Sequence, residues 1–118
     1  MRVANANGAI SSLLAQYNPL GAKVLTDYLD TIHSNKHVII GMMSNKDHQE
    51  YINFFKNKIN SITAVDIPNQ PNSIKGQDLK NKINGFDKIK YKSSIEEALK
   101  SLKLNEEDII LITGSLYL

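Results

Sequence analysis

The sequence predicts an α/β domain: a mainly parallel sheet with helices on both faces, in three layers. Three apolar runs, at 38–43, 62–67 and 109–113, are short, rich in branched residues and lack polar alternation, as in strands buried on both faces. The segments between such runs carry apolar residues at helical spacing. Helix and strand therefore alternate through the chain with short connections, the order of a parallel sheet with crossover helices. A length of 118 residues fits one domain.

Residues 1–12 are poorly patterned, and a strand over 9–14 is weakened by Ser11 and Ser12. The domain proper is expected to run from 13 to 118. Its first helix is predicted at Asn18, a good N-cap, followed by Pro19, whose missing N–H costs nothing at the first helical position. Leu20, Val24, Leu25, Tyr28, Leu29 and Ile32 fall on one face, and 34–36 end it. The strand at 38–43 follows, then a polar turn, Ser44 to Asp47. A second helix buries Tyr51, Ile52, Phe55 and Ile59. The strand at 62–67 is closed by Pro68, and 68–73 is a loop by composition. A weaker helix at 77–83 ends near Gly85, and a short strand occupies 88–91. Ser93 or Ser94 caps the last helix, each with a glutamate three residues on. Ile95, Ala98, Leu99 and Leu102 form its stripe, and 109–113 is the final strand, ending in Gly114 and Ser115.

Composition excludes several classes. The chain has no cysteine, so disulfides, thiol nucleophiles and cysteine–zinc sites are out. A net charge of +2, with lysines scattered and Arg2 the only arginine, gives no case for nucleic acid. No apolar run spans a bilayer and the N-terminus lacks a signal-peptide core, so neither membrane nor export is expected and the cytoplasm is the expected compartment.

In parallel sheets ligands sit at the carboxyl ends of the strands. Three polar clusters fall there: Asn18-Pro19, Ser44 to Asp47, and Thr113 to Ser115. Lys46 and Asp47 read as a binding pair or, equally, Asp47 as a helix cap. Gly114 and Ser115 read as a simple strand-end turn ahead of an anion-binding one. No phosphate loop or dinucleotide fingerprint occurs, since the glycines are isolated. His33, His37 and His48 lack metal-ligand spacing and read as solvated. Ser115 has no accompanying His/Asp pattern, and no paired carboxylates suggest acid–base catalysis. Tyr28, Tyr51, Phe54 and Phe55 read as core. No catalytic residue and no metal ligand is assigned.

Three segments then carry a resemblance. Asn18-Pro19-Leu20-Gly21-Ala22-Lys23-Val24-Leu25, Ile40-Gly41-Met42-Met43-Ser44-Asn45-Lys46-Asp47 and Ile112-Thr113-Gly114-Ser115-Leu116-Tyr117 resemble, in order and separation, the C-terminal domain of the folylpolyglutamate synthase/dihydrofolate synthase family of the Mur ligase superfamily. The resemblance covers about 13–118 and implies a Rossmann-like domain. It implies an ATP- and magnesium-dependent ligase that activates a carboxylate of dihydropteroate or a folate as an acyl phosphate, which the amino group of glutamate attacks. The phosphate loop and metal ligands of that family lie in a preceding ATPase domain. By the same resemblance Asn18, Pro19, Lys46, Asp47, Gly114 and Ser115 line the cleft.

The match departs in one segment. Family members read Asp-Gly-Ala-His-Asn-Pro there; here the Asp position is Leu14 and the His position Tyr17, with Ala15 and Gln16 between. Leucine accepts no hydrogen bond, and tyrosine is no cation near neutral pH. The expectation is a truncated ligase-like chain, inactive alone, with no cofactor of its own. The alternatives are a fragment working with a separate ATPase domain as partner, or a non-catalytic binding module.

Overall fold

The structure, a computed structural model, describes residues 2–5, 10–12, 23 and 27–114. Its centre is a six-stranded sheet of β1 (Arg2–Asn5), β2 (Ile10–Ser12), β3 (Lys36–Ile40), β4 (Ser61–Val65), β5 (Ile89–Lys92) and β6 (Ile109–Thr113), in the order β2-β1-β6-β3-β4-β5. The four strands β6, β3, β4 and β5 run parallel, and β1 is antiparallel to both β6 and β2. The sheet is thus mainly parallel, as its apolar strands predict.

Three described helices connect the parallel strands: α1 (His48–Asn53), α2 (Gly76–Lys82) and α3 (Ile95–Ser101). Residues 23 and 27–29 are helical as well, within the first helix expected from the sequence. The alternation of strand side chains divides the core. Val38, Ile40, Ile62 and Ala64 face Leu29, Tyr51, Ile52, Phe55, Leu79 and Ile83 on one side. Ile39, Val65, Ile110 and Ile112 meet Ala98 of α3 on the other, with Ile95, Leu99 and Leu104 packed against them. Helices on both faces of the sheet give three layers, the Rossmann-like arrangement.

Local chemistry fixes the helix starts. Asp47 accepts a hydrogen bond from the Glu50 N–H at 3.0 Å and caps α1; Ser94 accepts from the Glu97 N–H at 3.1 Å and caps α3. Of the two serines available, Ser94 is the cap, and Glu97 the residue three on.

Several expectations are corrected. The apolar run at 38–43 does not form a strand throughout: β3 ends at Ile40, and Met42 and Met43 turn to pair with Ile74 and Ser73. Residues 2–5, read as unpatterned, are a strand because β6 and β2 supply hydrogen-bond partners, which periodicity cannot reveal. The weak strand at 9–14 is real but only three residues long. His37 and His48 are buried, not solvated, while Tyr28 is 53% exposed rather than core.

At the amino ends of the strands, His37 accounts for its own burial. One ring nitrogen, Nδ1, lies 2.7 Å from the Ser61 hydroxyl, and Nε2 lies 3.2 Å from Asp108. Ser61 opens β4 and Asp108 directly precedes β6, so one imidazole ties three strand ends together. The Asp108 carboxylate also accepts from the Asn105 N–H at 3.1 Å. That bond, with His37 adding to it, holds its carboxyl below the usual carboxylate range in spite of burial.

Candidate functional site

The sheet order places β3 between β6 and β4, with the chain progressing outward to β5 on one side and returning through α3 to β6 on the other. β3 and β6 are adjacent parallel strands, and in an open parallel sheet the crevice for a ligand is expected at the carboxyl ends of such strands. The walls are set by register. Ile40 faces Thr113, and the Gly41 N–H donates to the Thr113 carbonyl at 3.2 Å.

Gly114 follows at once, with φ +111°, a region that suits glycine. A Cβ here would overlap the Gly41 carbonyl oxygen and approach Ile40 Cγ1 and Met42 Cγ to 3.1 Å. Backbone meets backbone at this point because neither residue has a side chain. Below it, the Tyr51 hydroxyl bonds the Thr113 hydroxyl, and burial pushes the Tyr51 phenol up to about 12. Tyr51 therefore stays a neutral strut from α1 to the floor of the crevice.

The mouth is polar. Ser44 to Asp47 are exposed. Ser44 is held by its N–H and hydroxyl, both donating to the Asn72 carbonyl at 2.8 and 2.6 Å, and the Ile74 N–H donates to the Met42 carbonyl at 3.0 Å. The loop after β4 thus buttresses the loop after β3. His48, buried beneath, donates from Nε2 to the Met43 carbonyl at 2.8 Å and accepts at Nδ1 from Lys82 at 3.0 Å. A carbonyl needs a donor and an ammonium needs an acceptor, so the neutral Nε2–H tautomer is the one that satisfies both. Asp66, at the end of β4, is fully engaged: one oxygen accepts from the Gly76 N–H at 2.8 Å, the other from the Tyr91 hydroxyl at 2.6 Å. The Asp66 bond raises the Tyr91 phenol above its ordinary value.

Of the residues singled out in the sequence, Lys46, Asp47 and Gly114 stand on loops leaving neighbouring strands at this end of the sheet. Asp47 caps α1, the structural alternative weighed for it. Asn18, Pro19 and Ser115 lie outside the described residues, as do Leu14 and Tyr17. Sequence reasoning missed Gly41, Tyr51 as a strut, His48 and the buttressing loop. All four depend on contacts between distant segments.

The arrangement offers an exposed polar loop, Ser44 to Asp47, with no nucleophile–base pair among the groups just described. Among the described residues no group of three or more His, Asp or Glu side chains is placed to hold a metal. A groove of about 520 Å³ between Ile67, Pro71 and Lys75 lies at the same end of the sheet. A larger one, about 600 Å³, lies at the opposite end, beside Ser61 and Lys88 where β4 and β5 begin, and so away from the crevice. No described helix is long and apolar enough to cross a membrane.

Comparison with known proteins agrees with this architecture. Residues 13–116 match the family model described as Mur ligase, glutamate ligase domain. No curated protein matches in sequence. Among solved structures, folylpolyglutamate synthase from Thermotoga maritima superposes with a TM-score of 0.77 at 21% identity, covering 98% of this chain and 27% of that one. Bifunctional folylpolyglutamate synthase/dihydrofolate synthase from Yersinia pestis gives 0.74 at 18% identity, covering 92% and 25%. E. coli FolC, solved with DHPP and ADP, gives 0.70 at 21% identity, covering 87% and 25%. These likenesses establish the fold, and the chain spans only about a quarter of the length of each. With the family model matched over nearly its whole length, the chain belongs to the Mur ligase family as its glutamate ligase domain.

Proposed function

We propose that these 118 residues are a folylpolyglutamate synthase/dihydrofolate synthase-like domain that does not turn over ATP on its own. The reaction of the parent type is ATP-dependent addition of glutamate to a folate or to dihydropteroate. The observation that carries the reading is the match of the family model over 13–116. A related structure is described with AMPPNP, Mn and L-glutamate bound. Here the sequence has no phosphate loop, and the described residues offer no metal-ligand cluster.

A second reading has a specific observation in its favour. The carboxyl end of the sheet is closely braced: Gly41 against Gly114, Tyr51 on Thr113 and the loop contact at Asn72 all serve to shape it. Such a domain suits work beside a separate ATPase domain. The test is to assay glutamate addition to a folate by the purified chain, alone and mixed with an isolated ATPase domain of the family. The proposal expects no product from the chain alone. Product on mixing selects the second reading, and product without the added domain overturns both.

A further inference from the structure

We propose that Asn84-Gly85, in the connection from α2 to β5, is a site of spontaneous deamidation, and that Gln49 of α1 sets its rate. The chemistry needs only water and is independent of the ligase reading. A backbone nitrogen attacks the asparagine side chain before it most readily when that nitrogen belongs to glycine, which puts no Cβ in the way. Both residues are exposed, and Gly85 has φ +91°. The neighbouring groove of about 600 Å³, lined by Lys56, Gly85 and Lys88, admits solvent to this turn.

The Gly85 nitrogen gives its proton to water or hydroxide and bonds to Cγ of Asn84. The Cγ–Nδ2 bond breaks, and Nδ2 leaves as ammonia with a proton from water. A five-membered imide results. Water then adds at either imide carbonyl and breaks its C–N bond, leaving aspartate or isoaspartate at position 84. The sum is asparagine plus water giving aspartate plus ammonia, with no oxidant or reductant. The Lys56 ammonium lies 3.5 Å from where a Cβ on Gly85 would stand. A cation there favours the deprotonated nitrogen and the negative oxygen that develops on Cγ.

Gln49 opposes the reaction. Its Oε1 accepts from the Asn84 N–H at 2.8 Å and its Nε2 donates to the Asn84 carbonyl at 2.8 Å, so one amide grips both backbone groups of the residue. Closing the ring eclipses Cβ of Asn84 with the Gly85 nitrogen about the Cα–C bond, a ψ that residues with a side chain seldom adopt. That rotation swings the Asn84 carbonyl away from Gln49, and the bond from Nε2 must break first. Isoaspartate lengthens the main chain by a methylene, so the grip cannot re-form as it was and α1 loses its tie to the α2–β5 connection. The aged chain also carries an added negative charge near Lys56.

The test is peptide-map mass spectrometry of the full chain after incubation in mildly alkaline buffer, with fragmentation placing each change and chromatography separating aspartate from isoaspartate. Asn84 should convert at least about five times faster than Asn72, which is also exposed but precedes Ser73. Gln49→Glu keeps an acceptor for the Asn84 N–H and removes the donor to its carbonyl. It should speed conversion at Asn84 about three- to tenfold, the effect of losing one hydrogen bond, and leave Asn72 unchanged. Conversion at Asn84 no faster than at Asn72 overturns the proposal. So does an unchanged Asn84 rate in Gln49→Glu, or equal acceleration at both asparagines, which would report general unfolding in place of a released clamp.

Discussion

Gly114 has no room for a side chain. Its φ of +111° and its approach to the Gly41 carbonyl act together, so Gly114→Ala must strain the backbone and push two strand ends apart. The expected loss is at least about 2 kcal/mol of unfolding free energy, measurable by urea denaturation. Thr63 presents the opposite case. It is fully buried and its hydroxyl has no hydrogen-bond partner among the described residues. Replacing it with valine removes an unsatisfied polar atom, and Thr63→Val should raise stability by about 1 kcal/mol, seen as a rise of a few degrees in Tm. Asp108 governs acid sensitivity. Its carboxyl titrates below the usual range when folded, so the unfolded chain binds the proton more readily. Its stabilising contribution is complete above the ordinary carboxylate value and is lost as pH falls through the folded-state value. A series of Tm measurements between about pH 5 and pH 3 should therefore fall less steeply for Asp108→Asn than for the parent chain.

At the scale of elements, caps and core stripes were legible and edges were not. Asp47 and Ser94 both cap helices, as side chains that accept a hydrogen bond commonly do. Ser94→Ala should cost about 1 kcal/mol, while Ser93→Ala should cost almost nothing, because only the former holds the Glu97 N–H. The two substitutions, compared by denaturant midpoint, check the assignment that the sequence left open between them. The branched run at 109–113 is β6 residue for residue, because a strand buried on both faces is written in its own composition. The run at 38–43 misled for the same reason. Met42 and Met43 are apolar enough for a strand, yet they answer to the loop at 72–74, a contact thirty residues away that no local pattern encodes. β1 was invisible because Arg2 to Asn5 carry no apolar alternation and owe their conformation to partners on either side.

For the whole molecule, strict alternation of helix and strand said at which end of the sheet Lys46, Asp47 and Gly114 would stand. All three follow the carboxyl ends of β3 and β6, the end at which parallel sheets take their ligands. The molecule's interior did not follow. His37 and His48 were read as solvated because sequence shows a histidine's spacing and not its partners; each is buried and bonded to residues that other strands or helices bring in. Neither set of bonds is part of a metal-binding cluster among the described residues.

If the chain is a ligase-like domain inactive on its own, as proposed, these residues turn over no triphosphate. Release of inorganic phosphate from ATP by the purified chain, with magnesium, glutamate and either a folate or dihydropteroate supplied, measures that directly. The rate should equal that of a buffer blank. Phosphate release that scales with the concentration of this chain, and that disappears when its carboxylate substrate is withheld, would contradict the account.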